Sequence, residues 1–298
     1  MKKFTPLNRV MIEDVLRAAF KEDLGIGGDA TTRAVIDDDI AATVAINARE
    51  TGVLSGIDVA RLAFELIDSD LKVEMHKADG DKIVKGDALM VISGRMASIL
   101  TAERIALNFL GRMCGIATLT HRMVEAAKPY TPRIACTRKT TPNLRMFEKY
   151  AVRCGGGSQH RLGLDDCIMI KDNHIAANGG DLEKTLKRAR DYAGHTTKIE
   201  VEVDTLDQLK QVLAVDIADI IMLDNMSPED MKTAVDLVGG RAVLEASGGI
   251  TLDTINAKAS SGVDVISIGA LTHSAPNFDV GLDFQSKAEL SVVRGSLG

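Results

Sequence analysis

Apolar residues recur along the chain with two different periods, and the change of period divides it. Over residues 8 to 20, Val10, Val15, Leu16 and Ala19 stand near helical spacing, and Gly25, Gly27 and Gly28 end the run, which predicts a first helix. From Ala41 to Leu89, short apolar runs (Thr43 to Ile46, Lys82 to Val84) alternate with the turn signals Asp79-Gly80-Asp81 and Lys85-Gly86-Asp87. That alternation predicts a small sheet, with a helix near Val59 to Ile67. Between residues 98 and 127, Ile105, Phe109 and Met113 recur every four positions with Leu110 and Cys114 beside them, the mark of long helices with a wide apolar face. This stretch is read as the connection between two domains.

Beyond Arg133 the pattern repeats. Apolar runs begin near Ile134, Ile168, Ile199, Ile220, Val243 and Val265, each followed by room for a helix. Thr205 with Gln208 makes a capping box, Ser227-Pro228-Glu229 supplies a cap, a first-turn proline and an acid suited to the helix dipole, and Thr251 precedes Leu252 and Ile255. Continuous apolar strands suit parallel strands covered on both faces, so the expected fold is an α/β barrel, incomplete because its strands fall short of eight. An open doubly wound sheet is the alternative.

Composition narrows the partners. The 298 residues are 45% hydrophobic and 26% charged, as in an ordinary globular chain, and the net charge of −6 opposes binding to nucleic acid or an acidic membrane. Cys114, Cys136, Cys154 and Cys167 lack C-x-x-C spacing and are expected to be buried reduced thiols. After Met1-Lys2-Lys3, polar residues stand where a signal peptide would be apolar, and no run approaches the roughly 20 apolar residues of a membrane helix. A cytoplasmic protein is expected.

The candidate chemistry lies at the carboxyl ends of the expected strands, where parallel α/β folds keep their working residues. These ends read Thr137-Arg138-Lys139, Lys171-Asp172-Asn173-His174, Glu200 and Glu202, Asp224-Asn225, Glu245-Ala246-Ser247-Gly248-Gly249 and Ser267-Ile268-Gly269. Residues 131 to 175 carry a local excess of Lys and Arg, including Arg138, Lys139, Arg161 and Lys171, which suits a polyanionic ligand. Glu200 and Glu202, two apart, share one face of a strand. Pointing inward they need a lysine, a metal ion or ligand hydroxyls as partners; on an edge strand they would be exposed. Asp224 is placed to accept from hydroxyls or to hold Mg²⁺ through water. Ser247-Gly248-Gly249 and Gly269-Ala270 are candidates for a phosphate loop, and Gly155-Gly156-Gly157 leads into His160 and Arg161. His160 and His174 taken singly are ordinary histidines, and no Ser-His-Asp order, His-Glu-x-x-His, Walker loop or dinucleotide fingerprint is present.

Taken together, Thr137-Arg138-Lys139-Thr140-Thr141-Pro142, the run Glu148 to Gly157, His160-Arg161, Ile170-Lys171-Asp172-Asn173-His174, Leu223-Asp224-Asn225 and Glu245 to Ile250 closely resemble the quinolinate phosphoribosyltransferases. The resemblance runs from about residue 8 to 284. It implies transfer of phosphoribose from phosphoribosyl pyrophosphate to quinolinate with loss of CO₂ and pyrophosphate, giving nicotinate mononucleotide for NAD synthesis, with Mg²⁺ as cofactor. It also implies an N-terminal α/β sandwich over residues 1–115, joined by 275–298, and an open-faced barrel over 116–274. The family's quinolinate ligands fall on Arg138, His160, Arg161 and Lys171, with Thr137 beside them. A homodimer or higher assembly is implied, Arg104 reaching the site from the partner. Lys139, Glu202 and Asp224 take the sugar-pyrophosphate and catalytic roles, Glu202 and Asp224 being the candidate Mg²⁺ ligands. Ser247, Gly248, Gly249, Ile268, Gly269 and Ala270 hold the 5′-phosphate. Cys136 and Gln159 depart from the family pattern, where Asp and Asn often stand.

Three other readings compete with this one: a molybdenum-transport-associated paralogue of the same superfamily, a Schiff-base barrel lyase using Lys171 or Lys139, and a non-catalytic anion binder. The long run from Glu148 to Gly157 and Lys171-Asp172-Asn173-His174 favour the quinolinate enzyme over the first. The paired acids argue against the last, because they would weaken anion binding.

Overall fold

Asn8 starts the first helix by accepting a hydrogen bond from the Val10 N–H at 3.1 Å, and the helix Arg9–Leu24 runs to Gly25. Its buried stripe is Ile12, Leu16 and Phe20, each worth roughly 1.5–3 kcal/mol of burial. Val10, expected on that face, is exposed because it lies on the opposite side of the first turn. The computed structural model describes residues 4–284 and the strand Ser291–Val292. By their contacts the residues form two units: Met1–Leu119 with Thr141–Gly156 and Ala275–Gly298, and Thr120–Thr140 with Gly157–Ser274.

The first unit is built on an antiparallel sheet ordered Val280–Phe284, Ile40–Ala48, Ala88–Arg95 and Lys72–Met75, with Ser291–Val292 pairing the start of Ile40–Ala48. Of the C-terminal stretch expected to join this part, residues 285–290 and 293–298 lie outside the described residues. The helix Ile57–Ile67 begins where Asp79 accepts from the Ile57 N–H at 3.0 Å. Gly56 is held to glycine by a φ of 95° and by Met113, whose Sδ would lie 2.6 Å from an added Cβ. The helix Met96–Ala126 fulfils the long apolar period of residues 98 to 127 as one element.

The expected domain 116–274 and these units differ in two segments, the short stretch 116–119 and Thr141–Gly156, both of which group with the first unit. Thr141–Gly156 groups with the first unit because the helix Arg145–Cys154 is tied there by buried polar contacts. Glu148 accepts from Arg112 at 2.7 Å and from the Thr141 hydroxyl at 2.8 Å, and the Tyr150 hydroxyl donates to Asp79 at 2.8 Å. A buried carboxylate with those donors is costly to separate from them.

The second unit is the open-faced barrel. Its six-stranded parallel sheet is ordered Arg133–Ala135, Val265–Ser267, Val243–Ser247, Ile220–Asp224, Ile199–Val203 and Ile168–Ile170. After the first strand, every strand neighbours its successor in sequence, so winding proceeds in one direction without the reversal that a doubly wound sheet requires. The free edge of Arg133–Ala135 is continued by Ser158, whose N–H donates to Ile134 O at 2.7 Å and whose carbonyl accepts from the Cys136 N–H at 3.2 Å. The capping box at Thr205 and the cap at Ser227 behave as the sequence predicts. Thr251 does not: Thr251 and Thr254 exchange hydrogen bonds in a turn, and the helix is the short Ile255–Ala259. All four cysteines are free and buried, and no helix among the described residues is long and apolar enough to cross a membrane.

Candidate active site

At or just beyond the carboxyl ends of the parallel strands stand polar and charged residues, among them Thr137, Lys171, Glu202, Asp224, Ser247 and Ser267, and they converge. The cavity there, about 400 Å³, is lined by Thr137, Arg138, Lys139, His160, Arg161, Met169, Lys171, Glu202, Met222, Asp224, Ser247 and Ser267. The excess of basic residues over 131–175 is thereby divided. Arg138, Lys139, Arg161 and Lys171 reach the cavity, Arg133 lies at the other end of its strand, and Lys149 is fully buried in the first unit.

Local hydrogen bonds shape the cationic wall. The Lys139 N–H donates to the Thr137 hydroxyl at 3.0 Å, and the Lys139 carbonyl accepts from the Thr272 hydroxyl at 2.7 Å. Arg161 donates to the Cys167 carbonyl at 3.1 Å. Lys171 is ion-paired with Glu202. His174 proves structural: its Nδ1 accepts from the Lys171 N–H at 2.9 Å, fixing the turn into the helix Asp172–Ala177.

The strand Ile199–Val203 lies inside the sheet, which removes the edge-strand reading of its acids. Both carboxylates point to the interior face and both find partners, at different depths. Glu202 meets Lys171 at the cavity, whereas Glu200 is fully buried beneath His160. His160 Nε2 lies 3.3 Å from Glu200 and 3.3 Å from Glu245, an acid the sequence placed at a strand end without assigning it a partner. Burial pushes the His160 pKa down, but the two carboxylates outweigh it and raise the value to about 10. Burial also pushes Glu200 above the usual carboxylate range. The trio carries one net negative charge either as an imidazolium with two carboxylates or as a neutral ring with one carboxylic acid. The Arg161 N–H, 2.7 Å from His160 Nδ1, favours the second arrangement, with the ring proton on Nε2. The three ligand atoms are close enough together to hold a metal ion, yet a protonated Nε2 is no ligand.

Asp224 ends the strand Ile220–Asp224, paired in register with Ser247. Ile268 is buried, its N–H donating to Ala135 O at 2.8 Å, so its part in the site is the position of its backbone. Gly248, Gly249, Gly269 and Ala270 are not among the lining residues. A Cβ on Gly269 would lie 3.0 Å from Lys139 Cδ, which brings that turn against the lysine. The glycine pair Gly248-Gly249 does not abut a helix N-terminus, since the next helix starts at Ile255. Arg104 belongs to the first unit, by a separate hollow with Asn108, Asn277 and Asp279. Of the departures from the family pattern, Cys136 is buried and Gln159 lines a different cavity. Sequence reasoning missed Met169 and Met222, which read as core, and left Ser267 without a role. The Ser267 hydroxyl is buried at the cavity without a hydrogen-bond partner.

The chain matches the family models described as quinolinate phosphoribosyl transferase, N-terminal domain, over residues 29–114, and C-terminal domain, over residues 116–283. It is 42% identical over 277 residues to a probable nicotinate-nucleotide pyrophosphorylase [carboxylating] of Bacillus subtilis, covering 93% of this chain and 94% of that one. It is 41% identical over 303 residues to the chloroplastic nicotinate-nucleotide pyrophosphorylase [carboxylating] of Arabidopsis thaliana, covering 95% and 85%. Among solved structures, NadC from Streptococcus pyogenes superposes with a TM-score of 0.90 at 43% identity, covering 95% of this chain and 100% of that one. The chain belongs to the quinolinate phosphoribosyl transferase family.

Proposed function

We propose that this cavity transfers phosphoribose from phosphoribosyl pyrophosphate to the ring nitrogen of quinolinate, releasing pyrophosphate and CO₂ and leaving nicotinate mononucleotide. The observation that carries the reading is the convergence of Arg138, Lys139, Arg161 and Lys171 with Glu202 and Asp224 at the carboxyl ends of one parallel sheet, in a member of this family. Clustered cations let an acidic protein bind two anionic substrates, since charges opposed at short range under reduced dielectric outweigh general repulsion.

Arg138, Arg161 and Lys171 bind the quinolinate carboxylates, with His160 and Thr137 completing that wall. Guanidinium forks match planar carboxylates, and a carboxylate reaching Lys171 competes with Glu202, turning that acid toward the sugar. As the ribose C1–O bond breaks, the electron pair leaves with pyrophosphate beside Lys139, and Glu202 and Asp224 stabilise the positive charge spreading over C1 and the ring oxygen. The pyridine nitrogen then bonds to C1. Its positive charge draws electrons from the adjacent C2, where the C–CO₂⁻ bond breaks, CO₂ leaves and the carbanion takes a proton. The backbones of Gly248-Gly249 and Gly269-Ala270, with Ser247 and Ile268, are assigned to the 5′-phosphate.

Glu202 and Asp224 offer hard oxygen donors, the chemistry Mg²⁺ takes alongside substrate phosphates, and they are the residues that would hold it. When bound, Mg²⁺ supplies neutralising charge to the pyrophosphate. The assembly proposed is a homodimer in which Arg104 serves the partner's site, and the location proposed is the cytoplasm. A lyase acting through an imine is not favoured, because Lys171 is ion-paired and an imine-forming amine must be neutral. The deciding assay is release of pyrophosphate from phosphoribosyl pyrophosphate by purified protein. Release that depends on quinolinate is expected; none, with both substrates and Mg²⁺ present, would overturn the reading.

A further inference from the structure

We propose that Asn225 is a positioning residue for Asp224, its side-chain amide holding one carboxylate oxygen and locking the acid to the Gly248 loop. The inference rests on the reading of Asp224 given above and adds a residue to it.

Three observations converge on this side chain. Its Nδ2 donates to Asp224 Oδ2 at 2.7 Å. Its backbone adopts φ 54°, left-handed, which among the described non-glycine residues recurs only at Asn143 and Asp216. Asp216 caps a helix, but Asn225 caps none; its N–H instead donates to Ser247 O at 3.0 Å, continuing the ladder one residue past the strand. The third is the fit against Gly248. A Cβ there would lie 2.0 Å from Asn225 Oδ1 and 2.6 Å from its Cγ, on a backbone with φ +87°.

Chemistry then selects asparagine. The left-handed backbone is open to Gly, Asn and Asp. Glycine would supply the turn without the donor, and aspartate would set a second carboxylate against Asp224. Only an amide donates to the acid with one end while its carbonyl rests on the glycine with the other. A half-buried carboxylate left to itself rotates about its side-chain bonds; with Oδ2 held, Asp224 presents a fixed oxygen to the cavity. Gly248, assigned above to the phosphate, has on this account a second duty, which is to leave room for the amide.

The test uses the full-length enzyme, with initial rates against quinolinate and phosphoribosyl pyrophosphate, quinolinate affinity by calorimetry, and the melting temperature. Asn225→Gly keeps the left-handed turn and removes the donor. It should lower kcat about tenfold, the scale of one charge-assisted hydrogen bond, with quinolinate affinity and melting temperature unchanged. Asn225→Asp should lower kcat further. In an Asp224→Asn background, Asn225→Gly should cost nothing more, because the residue acts through an acid no longer present. Wild-type kcat in Asn225→Gly overturns the proposal, as does a full additional loss in the Asp224→Asn background. Loss of quinolinate affinity and melting temperature together with kcat also overturns it, as that is the signature of a collapsed loop. If Asp224→Asn alone keeps full activity, the assignment of Asp224 is what has failed, and the two errors are told apart.

Discussion

The two ends of the barrel sheet hold cavities of similar size, about 400 Å³ at the carboxyl ends and about 460 Å³ at the amino ends, and chemistry separates them. At the carboxyl ends, four cationic side chains face Glu202 and Asp224 around space a ligand can enter. At the amino ends, Arg133 and Lys198 lie on a rim of Leu162, Ile220, Val243 and Val265, while Glu200 and Glu245 are turned inward and closed over by His160. One strand, Ile199–Val203, supplies an acid to each end. Glu200 has its partner, His160, within the protein, whereas Glu202 has a partner, Lys171, that an incoming carboxylate can draw away. Cavity volume is therefore a poor guide to the working end. Charge that a ligand can rearrange is a better one.

The sharpest way to break this comparison is at the leaving group. Lys139→Ala should lower kcat about 10²–10³-fold with little change in quinolinate KM, the scale of losing one preorganised charge at a transition state. Unchanged kcat in initial-rate measurements would take Lys139 away from the pyrophosphate. Next come the two acids of the shared strand, expected to fail in opposite ways. Glu200→Ala strips the His160 trio of its buried partner and should lower stability by about 2–4 kcal/mol, read as a drop in denaturant midpoint. Glu202→Ala should change stability by less than about 1 kcal/mol, since its partner Lys171 is partly exposed, while lowering kcat at least tenfold. If both variants lose only stability, or both only activity, the division between the ends is wrong. Arg161→Ala should raise quinolinate KM about tenfold to a hundredfold and leave that for phosphoribosyl pyrophosphate nearly unchanged; equal loss of both ligands would refute its placement.

A buried acid of the first unit provides a contrast by pH. Asp79 in the first unit is pushed up to about 6 by burial, which outweighs the hydrogen bonds it accepts from Ile57 and Tyr150. An acid raised above its unfolded value of 3.8 favours the folded state when protonated. The contribution of Asp79 to stability is thus greatest below about pH 4, falls as the pH rises toward 6 and levels off above, a loss of roughly 1–3 kcal/mol from this group. Asp79→Asn should flatten that window in denaturant titrations at pH 4, 5, 6 and 7. A wild-type stability that gains on that of the variant from pH 4 to 6 would contradict the sign.

Most of this site was legible in sequence because strand ends announce themselves: an apolar run that stops at Lys171 or Asp224, or an acid set between aliphatics as Glu202 is, marks a side chain that burial would penalise. The strand starts were legible for the same reason. What was not legible depends on contacts distant in sequence. His160 and His174 look alike in the text, yet one sits over two glutamates and the other ties a turn, and only the fold decides which. The inward-facing Met169 and Met222 are indistinguishable from core residues by type. The helix Arg145–Cys154 reads as part of the barrel repeat, and its attachment to the first unit rests on Arg112 and Asp79, far upstream.

The smallest expected effect is the control on which the comparison turns. Lys198 is part of the amino-end rim and is bonded to Asp219 at 2.8 Å with its side chain 66% exposed. Such a pair contributes about 0–1 kcal/mol, as solvent screens it and side-chain entropy opposes it. Arg190 also donates to Asp219, at 3.1 Å, so removing the lysine leaves the acid partnered. Lys198→Ala should therefore shift stability by less than about 0.5 kcal/mol and leave kcat and both KM values within twofold of wild type. Arg133→Ala, on the same rim, should behave alike. Were either cation to matter to quinolinate binding as Arg161 does, the anionic ligand would be entering from the amino ends of the strands, and the direction of the sheet would have ceased to predict where the chemistry lies.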